Sequence, residues 1–292
     1  MGESLVAHSP SAAHQLADEG SEKLDQGFSQ FKREIRKRRR EQRLDALNNC
    51  LDQGSLSVNM TLGACLAVLQ TGAILSLADV IERKVGDRAG PDFETELERR
   101  LGTWYSARQR AEDLFKFEWD AKYAYLYVGG NGPRYGNGEC RVQLERSMRY
   151  DYATAFAGDS IGAIFDTRGN QILDDDRALE RFATRDKIRE LAAVHNRTRL
   201  VESDERLTGR AIRELLSGRK TLLELHVHDA IPSANIASIT IADEVHGELG
   251  PLVASYHEAP PSDRKLEQYE AVKSYLGIYA LAAAQDPRIP VL

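Results

Sequence analysis

From Ser21 onward, apolar positions recur at three- and four-residue intervals. Leu24, Phe28, Phe31 and Ile35 lie on one helical stripe, which runs on through Leu44, Leu47 and Leu51 to an Asp52-Gln53-Gly54 turn. Residues 1–20 are small and polar without such a period and read as a flexible tail. Leu56 to Met60 has the pattern of a short strand, and 62–77 that of a helix with Leu66, Leu69 and Ile74 inward and Gly72 near its end. Phe93, Leu97, Leu101, Trp104 and Tyr105 begin another amphipathic helix that continues to Phe115. The period then becomes two: Tyr123, Tyr125 and Tyr127 alternate with Ala and Leu before a glycine-rich loop from Gly129. Further strands are predicted at 140–144, 152–156, 221–227, 236–242 and 252–256, and helices at 176–195, 208–217 and 264–284. Helical elements first and strands later predict an α+β class rather than a regular βαβ alternation.

Composition narrows the function classes. The chain has 292 residues, 42% of them hydrophobic and 29% charged, with net charge -6 and pI ≈ 5.7. An acidic protein of this kind is no general polyanion binder, so affinity for nucleic acid or membrane has to come from a local patch. Such a patch exists: Lys32, Arg33, Arg36, Lys37, Arg38, Arg39, Arg40 and Arg43 fall within twelve residues. The run either docks on an anionic partner (nucleic acid, an acidic protein groove or a lipid surface) or forms a solvated helix face balanced by the acidic remainder. It divides the chain into a tail (1–20), a basic helical arm (21–53) that is expected to be dispensable for folding, and a domain (54–292). Cys50, Cys65 and Cys140 are too scattered for a disulfide framework or a metal motif, which predicts a reducing compartment. The most apolar stretch, 58–77, is interrupted by Asn59, Thr61, Gln70 and Thr71, so no transmembrane segment is predicted. The first residues lack the basic-then-apolar pattern of a signal peptide. The expected location is the cytoplasm, or delivery into a host or target cell by a route that reads a disordered N-terminus.

The densest chemistry lies in 224–241. Glu224 stands among apolar strand residues (Glu224-Leu225-His226-Val227-His228), a Pro232 turn follows, and a second strand returns with Ile236, Ile239 and Ile241. Carboxylates are poorly suited to strand interiors, and a buried one is costly unless paired. Held rigidly at a cleft, it can steady developing positive charge; on a wet face, the hairpin is ordinary. His226 and His228 project to one strand face, a metal-ligand geometry, but no third and fourth ligand has suitable spacing and no metal is predicted. Asp174, Asp175 and Asp176 read as a helix N-terminus. The chain carries no Walker loop, GxGxxG or GxSxG motif.

Three segments together resemble the ADP-ribosyltransferase superfamily. Ser57-Val58-Asn59-Met60-Thr61 followed by Val68-Leu69-Gln70-Thr71-Gly72-Ala73-Ile74-Leu75-Ser76 is similar to its opening strand and helix, with Asn59 and Thr61 standing where a His or Arg is usual. Lys122-Tyr123-Ala124-Tyr125-Leu126, Pro133-Arg134-Tyr135-Gly136 and Tyr152-Ala153-Thr154-Ala155-Phe156 with Asp159-Ser160 are similar to the middle of a poorly characterised bacterial branch. Glu224 to His228 resembles that branch's Glu-x-x-Val-His. The resemblance spans about 56–242 and leaves out the basic arm. It implies an α+β fold of two small antiparallel sheets split around a cleft, with NAD bound as substrate and ADP-ribose transferred to a macromolecular acceptor, as in bacterial toxins and secreted effectors. Glu224 would be catalytic, favouring the oxocarbenium-like transition state. Arg134 would pair with the pyrophosphate and Tyr135 stack on nicotinamide, while Asn59, Thr61, Asp159 and Ser160 would complete the cofactor-binding set. The alternative is a catalytically inactive relative serving as a scaffold or adaptor through its basic N-terminal helix.

Overall fold

A computed structural model describes residues 11–129, 139–146, 153–165, 170–205, 207–218, 220–255, 266–285 and 291. The chain opens with helices α1 (Ala12–Glu19), α2 (Ser21–Lys37) and α3 (Glu41–Asp52), then strand β1 (Ser55–Met60), α4 (Leu62–Thr71) and the short β2 (Ala73–Ile74). Helices α5 (Leu77–Val85), α6 (Pro91–Leu101) and α7 (Tyr105–Phe115) lead to strands β3 (Lys122–Tyr127), β4 (Cys140–Leu144) and β5 (Thr154–Ala157). Next come α8 (Asp175–Leu179), β6 (Phe182–Thr184), α9 (Ile188–His195), α10 (Gly209–Leu216) and β7 (Leu223–Val227). The chain closes with β8 (Ile231–Pro232), β9 (Ile236–Ile241), α11 (Asp243–Ser255) and α12 (Leu266–Gln285).

Seven strands form one antiparallel sheet in the order β6-β5-β7-β3-β1-β4-β9, and β2 pairs with β8 in a separate two-stranded ladder. The α+β expectation holds at this level. The expected division into two small sheets around a cleft is not what the register gives: β1 bonds to β3 on one side and β4 on the other, so these strands stay in a single sheet.

Alternation along the strands makes the two sheet faces unlike. Leu56, Val58, Ala124, Val142, Leu144, Ala155, Leu225, Val227 and Ile239 point to one face and form the main core. Helices cover that face in pairs, α2 against α9, α3 against α10 and α4 against α12. The helices expected as a separable arm belong to this core: Leu24, Phe31 and Ile35 of α2 and Leu47, Cys50 and Leu51 of α3 are buried in it. The basic residues sort by face. Lys32, Arg33, Arg36, Lys37, Arg38 and Arg39 are exposed. Arg40 and Arg43 turn inward and donate to the carbonyls of Leu200, Val201, Ser203 and Glu205.

Other expectations change: the helix predicted over 62–77 stops at Thr71, with Ala73–Ile74 drawn into β2, and the one predicted from Phe93 to Phe115 is broken at Gly102–Trp104. Within the predicted tail, α1 is capped by the Ser11 hydroxyl and buries Ala13 and Ala17 against Phe115 and Phe182; an alanine stripe is too small to register as apolar periodicity. The single helix predicted over 176–195 is divided by β6, whose residues are drawn into a ladder with β5. The predicted strand at 252–256 is, as far as Ser255, the end of α11, which accommodates Pro251 by forgoing one backbone donor.

Candidate functional site

The second sheet face carries the polar residues. Cross-strand partners share a face, as do residues i and i+2 of one strand. Glu224 of β7 lies opposite Tyr125 of β3, Tyr125 lies opposite Ser57 of β1, and Asn59, two residues on, lies opposite Arg141 of β4. Glu224, Tyr125, Asn59 and Arg141 therefore form a polar row over four adjacent strands. Three inter-strand spacings of about 4.8 Å and the two-residue step of about 6.6 Å along β1 make the row roughly 16 Å long. The Tyr125 hydroxyl donates to Asn59 Oδ1 at 3.2 Å, and the Arg141 guanidinium lies 4.2 Å from the centre of the Tyr127 ring. Burial pushes the Tyr125 phenol up to about 12, so it stays a neutral donor.

Glu224 is held rigidly. Its Oε1 accepts from the Ser160 backbone N–H at 3.2 Å, from the Ser160 hydroxyl, and from His226 Nε2 at 2.8 Å. Among the described residues no hydrogen bond uses Oε2, so one oxygen is anchored and the other left over. His226 is fully buried, lies 4.3 Å from the Phe117 ring centre, and has its Nδ1 3.3 Å from the Thr154 hydroxyl. Both ring nitrogens are thus in use, with the Nε2 proton assigned to the bond with Glu224. Ser160 bonds the carboxylate rather than an imidazole, so the trio is not arranged as an activated serine nucleophile.

Beneath this row sits a buried ionic cluster. Arg108 Nε donates to Glu112 Oε1 at 2.6 Å, the Trp119 N–H donates to Glu112 Oε2 at 2.7 Å, and the Arg108 guanidinium lies 3.5 Å from the Tyr123 ring centre. Burial raises the Tyr123 phenol well above its ordinary value, the nearby Arg108 opposing the shift. Tyr123 stands opposite His226, so this cluster braces the neighbour of the anchored carboxylate.

The residues singled out in the sequence divide into three groups. Glu224 and Ser160, 64 residues apart, are brought into contact, and Asn59 joins them on the same face. Asp159 and Thr61 are engaged locally. Asp159 Oδ1 accepts from the N–H groups of Ile161 and Gly162, closing the turn that Gly158 opens at φ 115°, and Thr61 Oγ1 caps α4 by accepting from Ala64 N at 3.2 Å. Arg134 and Tyr135 lie outside the described residues. The sequence reading missed Tyr125, Arg141 and the orienting role of His226. The alternation of Cys140-Arg141-Val142-Gln143-Leu144 marks Arg141 as on the polar side of its strand, but only the β1–β4 register places it opposite Asn59.

His228 continues the strand past the site. Burial, with His226, Lys122 and His14 nearby, lowers its imidazole to about 4 from the ordinary 6.5. A histidine depressed in the folded state is protonated first in the unfolded chain, so stability is complete above about pH 6.5 and falls toward pH 4. The loss is on the order of 3 kcal/mol at most, at about 1.4 kcal/mol per pH unit. Urea unfolding of wild type and His228→Asn at pH 7 and pH 4.5 checks this: the variant is expected to lose less stability over the interval, and parallel losses would contradict the assignment. Compared with known protein families and with curated proteins, the chain matches none.

Proposed function

We propose that the chain is an ADP-ribosyltransferase-like protein that binds NAD along the polar row of the sheet and uses Glu224 to transfer ADP-ribose to a macromolecular acceptor. One observation carries this reading: a strand carboxylate anchored through Oε1 by Ser160 and His226, with Oε2 left for a sugar hydroxyl. Breaking the bond to nicotinamide builds positive charge on the ribose, and a preorganised carboxylate stabilises it without reorganising. Tyr125, beside Glu224, and Asn59, one strand further along the row, would hydrogen-bond ribose or the nicotinamide amide. Arg141, at the far end of the row, supplies a guanidinium for the pyrophosphate, the part the sequence reading gave to Arg134.

A second reading, an inactive scaffold, draws on the local engagement of Thr61 and the deep burial of Ser160 and Glu224, 0% and 8% exposed. A thermal-shift titration with NAD separates the two. A ligand specific to the native state at about ten times its Kd stabilises by roughly 1.4 kcal/mol, a rise of a few degrees for a domain of this size. The enzyme reading expects this rise and its loss in Arg141→Gln; no shift at millimolar NAD favours the scaffold.

A further inference from the structure

The geometry points to a second ligand site, for a small hydroxyl-bearing monocarboxylate, in the cavity between the α7–β3 loop, β2 and the segment after β7. The cavity has a volume of about 390 Å³, and Lys122, His228, Asp79, Asp120, Glu118 and Phe117 are among its walls. It lies at the Lys122–Val227 end of the β3–β7 ladder, and the assignment does not rest on the NAD reading.

Three independent observations meet there. The first is a buried ammonium with poor partners. Lys122 is 8% exposed, and among the described residues its Nζ donates only to the carbonyls of Asp120 at 3.4 Å and His228 at 3.3 Å. Among the described residues no carboxylate lies within ion-pair distance of it. The nearby Asp79 and Asp120 carboxylates are taken by Arg88, at 2.8 and 2.7 Å. An ammonium has three donors, and a buried cation without a contacting anion is costly. A ligand carboxylate completes it.

The second observation is His228, whose Nε2 is buried and has no hydrogen-bond partner among the described residues. Its imidazole is held neutral near pH 7, and in the tautomer protonated at Nδ1 the Nε2 accepts from a ligand hydroxyl. The third is backbone strain in the loop that supplies the wall: Lys116 and Glu118, which line the cavity, and Trp119, next to Glu118 in the chain, adopt φ of 59°, 54° and 64°, three left-handed non-glycine residues within four positions. Such conformations persist only where the surroundings over-determine them, and they cluster at ligand clamps. The wall carboxylates Asp79, Asp120 and Glu118 are balanced by Lys116, Lys122 and the Arg88 that holds two of them, so the site has no excess positive charge for phosphate or a dicarboxylate, which selects a monocarboxylate.

The test is nitrogen-resolved NMR of the full chain, reading the His228 ring nitrogens and the Trp119 indole N–H while adding lactate, propionate or inorganic phosphate separately. Lactate is expected to shift both signals saturably in the millimolar range. Propionate, which lacks the hydroxyl, is expected to bind about tenfold more weakly, the worth of one hydrogen bond. Phosphate is expected to leave both signals in place. Lys122→Met, similar in length and uncharged, should abolish the lactate response. No saturable response to lactate, equal binding of phosphate, or an unchanged response in folded Lys122→Met would each overturn the assignment. The three wild-type titrations decide the matter even if that variant does not fold.

Discussion

Removing residues 1–43 is expected to leave a chain that does not fold. The deletion takes Leu24, Phe31 and Ile35 out of the main core, where they are 8%, 0% and 1% exposed. Truncating one buried aliphatic or aromatic side chain typically costs about 2–5 kcal/mol. Three such losses, with α9 and the sheet left uncovered, approach or exceed the roughly 5–15 kcal/mol that stabilises a whole domain. The deletion also strips Arg40 and Arg43 from the carbonyls of 200–205, a turn that relies on those guanidinium donors. Circular dichroism and urea titration of the truncated chain check this. A cooperative transition at the wild-type midpoint would show that the two helices are an accessory after all. The anionic-partner proposal needs a different test, because deletion confounds binding with folding. Replacing the exposed Lys32, Arg33, Arg36, Lys37, Arg38 and Arg39 by Gln keeps α2 in place, and binding to a polyanion such as heparin should then lose its steep salt dependence.

Glu224→Gln is expected to lower ADP-ribosyl transfer by about 10²–10³-fold, the usual cost of removing one preorganised electrostatic stabiliser. The amide oxygen can still accept from Ser160 and His226, so the side chain keeps its place and only the charge is lost. The unfolding midpoint should therefore move little while nicotinamide release from labelled NAD collapses. Ser160→Ala, which removes one anchor and leaves the backbone N–H, should give a smaller fall. Full activity in Glu224→Gln would remove this carboxylate from the mechanism.

What the sequence determined by itself was local. The three-four period of Leu24, Phe28, Phe31 and Ile35 encodes α2, the alternation around Tyr123, Tyr125 and Tyr127 encodes β3, and Thr61 and Gly72 bound α4 through a side-chain cap and a left-handed φ of 77°. Each signal acts within a few residues and survives without a tertiary partner. Glu224 stood out for a similar reason, as a charged residue in an otherwise apolar strand.

Tertiary structure decided whatever depends on partners far along the chain. A basic helix looks the same in sequence whether its apolar stripe is half-solvated or packed on α9. The segment 182–184 reads as helix until β5 offers it a ladder, and the strand read from 252 onward is the end of α11 as far as Ser255. Register in particular is invisible locally, since it depends on which strand comes to lie beside which. It was register that set Tyr125 between Glu224 and Ser57, put Arg141 across from Asn59, and kept β1, β3 and β4 together in the seven-stranded sheet. The cavity at Lys122 belongs to the same category: it exists because the ends of β3 and β7, the β2–β8 ladder and a strained loop converge, and no short stretch of sequence holds all of them.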